Sequence, residues 1–272
     1  MPPTILRNFR LILSITLIPG ILCLAVTPVP AAEDKTPVEK NETILRVGIS
    51  ANAAPIAYKQ GETIVGLEPE LAAGLAKHLG KQLEFIELAW KDQIPALLGD
   101  RTDIIMSGMT ITKMRRVRIA FTDPYLRTGQ MALIRKVERR NFPVGFFAIQ
   151  GMAPVMNIGV VEGTTGAAFA NNHFRSAREI RGYKTSRSAI DDLVVGRINI
   201  LLHDGPIIMM LAAENEARGI MALPDVMTDE YLGWGIRKND VDLLNDANAY
   251  VAEIKSNGTL RNIVSRWIPL AE

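Results

Sequence analysis

Residues 103–116 read Asp-Ile-Ile-Met-Ser-Gly-Met-Thr-Ile-Thr-Lys-Met-Arg-Arg: an apolar run ending in Ser107-Gly108, a polar turn, then a basic stretch. Thr112 stands where a helix N-cap would stand, which puts Lys113, Arg115 and Arg116 in the first helical turn. Cations there oppose the helix macrodipole, which favours Asp or Glu. A local choice against propensity points to another task. Holding an anion fits, because backbone N–H groups and a guanidinium fork converge where a carboxylate could sit. The alternative is a solvated basic helix start.

The surrounding elements alternate. Ile44–Ile49 predicts a strand, and Glu68-Pro69-Glu70 opens a helix with Pro and acids in its first turn. Leu71, Leu75 and Leu79 recur every four residues, so one face of that helix is buried, and Gly80 closes it. Strands follow at 83–88 and 103–106, with a short helix around Ile94–Leu98 between them. The βα pattern pauses after a strand at 130–134 and the basic stretch 135–140. It resumes with a strand at 157–161, helices near 165–170 and 189–195, a strand at 198–202 and a helix at 206–216. A strand at 232–236 and helices near 240–255 and 259–267 complete the chain. Strands alternating with helices imply a parallel sheet covered on both faces, and the interruption implies a second lobe.

The N-terminus reads as a secretory signal: Arg7 and Arg10, an apolar stretch from Leu11 to Val26, then small residues and breakers at 27–31. Cleavage after Ala31 leaves 241 residues, comfortable for two lobes, with 32–43 a flexible charged leader. A retained N-terminal anchor is the alternative, although Pro19 and Gly20 interrupt a run that is short for a span. The single cysteine, Cys23, lies inside the signal, and the bulky Leu22 before it is a poor match for lipidation. The mature chain then has no thiol and no disulfide. It carries 29 basic and 29 acidic residues, a balance that excludes an electrostatic footprint for nucleic acid. His78, His173 and His203 show no metal spacing, and no motif calls for a cofactor. The apolar segment 142–156 is broken by Pro143, Gly145, Gly151 and Pro154, and is expected to pack internally, form a loop or meet a partner.

Several ordered pieces together resemble the family 3 bacterial solute-binding proteins, the amino-acid-binding subunits of ABC importers. They are Leu45–Gly48, Val65-Gly66-Leu67-Glu68, Trp90–Leu97, Ser107–Thr112 with Arg115, Phe121–Tyr125, Gly163-Thr164-Thr165, the strand ending in Asp204, and Lys255–Thr259. The resemblance covers about residues 44–268. It implies an α/β, two-lobed periplasmic-binding-protein fold with mixed sheets flanked by helices. Lobe one is expected at 44–131 plus 233–272 and lobe two at 132–232, with crossover strands near 130–134 and 232–236. The Phe121–Tyr125 turn would pack just before the first crossover.

The resemblance also implies a site. Arg115 pairs with a ligand α-carboxylate, Thr110 adds its hydroxyl and backbone N–H, and Thr165 adds a backbone N–H from lobe two. Gly108 offers its carbonyl, and Asp204 its carboxylate, to the α-ammonium. Trp90 presents a wall, and His203 contacts a polar side chain. Each has a plainer alternative: Asp204 and Thr164 or Thr165 as helix caps, Trp90 as ordinary core, His203 as a satisfied strand-end histidine. Glu68 reads as helix-capping structure. Ser50 and Ala53 stand where basic-amino-acid binders of the family carry an acid and an aromatic, which favours a polar uncharged or acidic ligand. The implied protein is a periplasmic monomer that delivers its ligand to a membrane permease. A cyclohexadienyl-dehydratase-like enzyme on the same fold and a free-standing sensor partner are the competing readings.

Overall fold

The computed structural model describes residues 43–268. The expected signal peptide, Cys23, nearly all of the leader and the last four residues lie outside the described residues.

The chain starts with β1 (Ile44–Ile49), followed by a small antiparallel sheet of β2 (Asn52–Ala53), β3 (Ala57–Gln60) and β4 (Thr63–Val65). Then come α1 (Leu67–His78), β5 (Gln82–Glu87), α2 (Gln93–Leu98), β6 (Ile104–Ile105), α3 (Lys113–Arg118) and β7 (Ala120–Phe121). After β8 (Leu126–Thr128) the chain enters β9 (Gln130–Arg135), α4 (Phe146–Gly151), β10 (Asn157–Val161), α5 (Thr165–His173) and β11 (Glu179–Tyr183). α6 (Ser186–Val194), β12 (Ile200–Asp204), α7 (Gly205–Glu214) and β13 (Ile220–Ala222) follow. The return runs through β14 (Glu230–Leu232), β15 (Gly235–Ile236), α8 (Val241–Ser256) and α9 (Thr259–Trp267).

Two five-stranded sheets organise these elements, in the orders β5-β1-β6-β15-β7 and β11-β10-β12-β9-β13. Each is mixed rather than parallel throughout. β1 runs parallel to β5 and β6, while β15 is antiparallel to β6 and β7. β10 runs parallel to β11 and β12, while β9 is antiparallel to β12 and β13. Both faces of each sheet are covered, which is why the interior strands β6, β10 and β12 are nearly continuously buried, whereas β5 and β11 at the sheet edges are not. In the first lobe Leu71 and Leu75 of α1 are fully buried, in one core cluster with Val251 and Ile254 of α8 and Val264 of α9. The other face holds Leu97, Ile105, Met109, Ile119 and Phe121. In the second lobe one face packs α6 and α7 through Ile190, Leu193 and Ile208. Phe142, Ile149, Ala153 and Met156, from the segment expected to pack internally, form a loop or meet a partner, join Phe169 and Phe174 on the other.

The crossover strands sit a few residues from their expected positions. Residues 130–135 form β9, an interior strand of the second sheet, because its ladder with β12 pairs Gln130 with Asp204. The expected strand at 232–236 is two strands, β14 and β15, separated by Gly233-Trp234. The segments that link the sheets are β8 and β14, which pair with each other as a two-stranded ribbon. Helix α6 starts three residues earlier than the pattern suggested, because Thr185 caps it by accepting the Ser188 N–H. No helix among the described residues is long and apolar enough to cross a membrane.

Candidate ligand-binding site

The 103–116 segment folds as its residue types dictate. Thr112 is the N-cap of α3 and its hydroxyl accepts the Arg115 N–H at 3.1 Å. Lys113 and Arg116 are exposed, whereas Arg115 is half-buried and turns back. Its Nη1 donates to the Thr110 carbonyl at 2.8 Å, and its Nη2 crosses to the second lobe to donate to the Gly163 carbonyl at 3.2 Å. The guanidinium lies over the Trp90 ring, 5.4 Å from its centroid, and Trp90 Nε1 donates to the same Gly163 carbonyl at 3.0 Å. Burial pulls the Arg115 pKa below its ordinary value, opposed by the more distant charges of Asp204 and Glu230. Among the described residues no carboxylate lies within ion-pair distance of Arg115. Trp90 is therefore both a cleft wall and the platform that orients this cation.

Gly108 occupies φ 69°, a conformation that L side chains rarely adopt, and a Cβ there would meet Ile56 Cγ2 at 2.8 Å. Its N–H donates at 2.6 Å to Glu68 Oε1, which also accepts from the Tyr125 hydroxyl at 2.6 Å. Glu68 Oε2 accepts from Trp234 Nε1 at 3.0 Å. Glu68 therefore does not cap α1; its fully buried carboxylate ties the binding loop to the stacked Tyr125–Trp234 pair. Burial pushes this carboxyl up to about 7, against the pull of its three donors.

Thr110 departs from expectation in one respect. Its hydroxyl donates to Glu230 Oε2 at 3.1 Å, so its proton is already placed, and its backbone N–H is the donor it can offer. Glu230 also accepts from the Thr228 hydroxyl at 2.8 Å. Glu230 lies on β14, so the linking ribbon contributes to the site.

The second lobe supplies the opposite jaw. Thr164 caps α5, accepting the Ala167 N–H, and the following Thr165 lies 3.4 Å from Thr110, hydroxyl to hydroxyl. Gln130, fully buried on β9, donates through Nε2 to Thr165 Oγ1 at 3.1 Å and to Asp204 Oδ1 at 2.5 Å. Asp204 ends β12 and occupies the cap position of α7, yet its side chain makes no capping bond. Burial raises its pKa, with Glu230 adding to the rise while His203, Gln130 and Arg115 oppose it. His203 Nδ1 accepts the Asp204 N–H at 2.8 Å, and burial lowers its pKa, so the neutral ring carries its proton on Nε2.

One cleft collects Trp90, Gly108, Thr110, Arg115, Thr165, His203 and Asp204, all seven residues expected from sequence. Gln130 and Glu230 were missed, and no sequence signal marks them; Glu68 stood out only as helix-capping structure. Among the described residues no cluster of His, Cys, Asp and Glu could hold a metal ion.

Two α/β lobes joined by a two-stranded ribbon, with a cation and an acid facing a shared cleft, define a protein that encloses a small charged ligand between its halves. The chain belongs to the bacterial extracellular solute-binding proteins, family 3, which match it over residues 45–270. It is 28% identical over 232 residues, 82% of this chain and 86% of the relative, to the histidine-binding periplasmic protein of Salmonella typhimurium. A putative binding component of an ABC transporter from Wolinella succinogenes, complexed with lysine, superposes with a TM-score of 0.78 at 29% identity, covering 83% of this chain and 96% of that one. The ancestral amino-acid-binding protein AncCDT-1, described as a precursor of cyclohexadienyl dehydratase, superposes at 0.75 with 33% identity, covering 84% and 96%.

Proposed function

We propose that this protein captures an α-amino acid between its lobes outside the cytoplasm and delivers it to the membrane permease of an ABC importer. The observation that carries the reading is Arg115: a desolvated guanidinium in the cleft, held by two carbonyls and a ring, with no carboxylate in contact among the described residues. The ligand α-carboxylate supplies that partner, assisted by the N–H groups of Thr110 and of Thr165 at the start of α5. Asp204, fixed by Gln130, takes the α-ammonium with the Gly108 carbonyl, and Trp90 walls the cleft. A zwitterion loses its hydration on entry, so each charged end needs a charged partner. Contacts from both lobes favour the closed arrangement over the open one, and that difference drives closure. The chain works as a periplasmic monomer, released by cleavage after Ala31, with no cofactor.

An enzyme on this scaffold is the second reading, favoured by the likeness to the dehydratase precursor. Against it, Asp204 is the one carboxylate lining the cleft among the described residues, and Glu230 spends its oxygens on Thr110 and Thr228. Titration calorimetry with the common amino acids tests the proposal. Arg115→Ala should weaken the best ligand by about a hundredfold, the loss of two charge-assisted contacts, while the protein stays folded. Tight binding by a folded Arg115→Ala protein would sink the carboxylate assignment.

A further inference from the structure

The cleft has a second cationic end, separate from Arg115. Lys184, Thr185 and Ser186 line it where β11 passes into α6. Thr185 is the N-cap and satisfies Ser188 N–H, which leaves the Ser186 and Arg187 N–H groups as orphan donors of the nine-residue helix. The first turn of α6 contains no acid. Ser186 is the independent sign of a ligand. It is only 5% exposed and lines the cleft, and its hydroxyl has no hydrogen-bond partner among the described residues. Its side chain is otherwise enclosed, so the open cleft is what this hydroxyl is left to face. Lys184 likewise makes no ion pair among the described residues and stands at the rim of the same space.

The opposite wall offers no acid. The Ser50 hydroxyl donates to the Leu88 carbonyl and accepts from Gln93 Nε2, so it is spent within its own lobe. The neighbouring lining residues Asn52, Ala53 and Ile207 carry no charge. With His203 neutral, the charged side chains lining the cleft are Arg115, Asp204 and Lys184.

We propose that the ligand is a dicarboxylic amino acid, whose side-chain carboxylate is held by Lys184, the Ser186 hydroxyl and the first N–H groups of α6. This rests on the amino-acid-binding reading and deepens it. The three ligand charges then meet three of opposite sign: α-carboxylate on Arg115, α-ammonium on Asp204, side-chain carboxylate on Lys184. The amide isosteres of such ligands keep the hydrogen bonds and lose the ion pair. Cationic side chains meet Lys184 as a like charge, in contrast to the lysine held by the Wolinella succinogenes protein.

The test is calorimetric titration of the full mature protein with L-glutamate, L-aspartate, L-glutamine, L-asparagine, L-lysine, L-arginine and L-histidine, repeated on Lys184→Ala and Ser186→Ala. An acidic amino acid should bind about tenfold or more tightly than its amide, as one charge-assisted contact requires. Lys184→Ala should erase that preference by costing the acidic ligand about tenfold more than its amide, while the melting temperature stays unchanged because Lys184 is exposed. Ser186→Ala should weaken the acidic ligand several-fold. A cationic or apolar amino acid as best ligand, lost in Arg115→Ala but indifferent to Lys184→Ala, overturns this proposal and leaves the amino-acid reading standing. Binding of no amino acid overturns both.

Discussion

Replacing Glu68 with glutamine should flatten the pH dependence of stability. Burial pushes the Glu68 carboxyl up to about 7 from an ordinary 4.5. Below the ordinary value the acid is neutral in both the folded and the unfolded chain. Between the two values the unfolded chain gives up its proton while the folded protein keeps it, so stability falls as pH rises and levels off above about 7. At about 1.4 kcal/mol per pH unit, the wild-type protein should lose roughly 2.5 kcal/mol from this group between about pH 5 and pH 8. Glutamine cannot ionise. Its carbonyl keeps the Gly108 and Tyr125 donors, but its amide turns an N–H toward Trp234 Nε1–H, an offset of about 1–3 kcal/mol that does not vary with pH. Other titrating groups occur in both proteins and cancel in the comparison. Urea unfolding of the two proteins across that range, followed by fluorescence, reads the difference between their slopes. Parallel curves would refute the reasoning. They would mean that three donors at 2.6, 2.6 and 3.0 Å hold the carboxylate ionised throughout.

Gly108→Ala should cost about 1–3 kcal/mol from backbone strain alone. It should also weaken ligand binding, since the 2.8 Å approach to Ile56 Cγ2 displaces the loop; thermal melts and calorimetry read the two effects. Asp103→Ala should cost about 3 kcal/mol or more, because Asp103 is paired with both Arg46 and the buried Arg237. Urea unfolding of this variant should show that loss, and an unchanged midpoint would mean that Asp100 and Asp240 carry Arg237 by themselves.

How much of this was legible depended on the range of the interaction. Thr112 as a cap follows from residues three apart, and the chain announced it together with a basic first turn, but which of Lys113, Arg115 and Arg116 turns inward came from the family resemblance. Leu71 and Leu75 marked the buried face of α1 by spacing alone. Glu68 did not announce itself. Beside Pro69 and Glu70 it looked like a first-turn acid, yet its partners lie 40, 57 and 166 residues away. Gln130 was assigned to a linking strand because nothing local reveals that residue 130 pairs with residue 204. Glu230 became part of the site only through the ribbon that β14 forms with β8. The family resemblance supplied Asp204 and Thr165, whose positions opposite Arg115 no periodicity could give.

The first sheet is sewn from two distant stretches of chain. β15 is inserted between β6 and β7, and Trp234, just before it, closes the hydrogen-bond set around Glu68. The strands of the second sheet, by contrast, all come from residues 130–222. A chain that emerges N-terminus first therefore has every strand of its later lobe in hand before the earlier lobe can be finished. Until residue 236 arrives, β6 and β7 each lack a neighbour and Glu68 lacks one of its three donors. The half of the cleft that carries Arg115 is begun first and completed last, so a truncation before β15 leaves β6 and β7 unpaired on that side and Glu68 without its Trp234 donor.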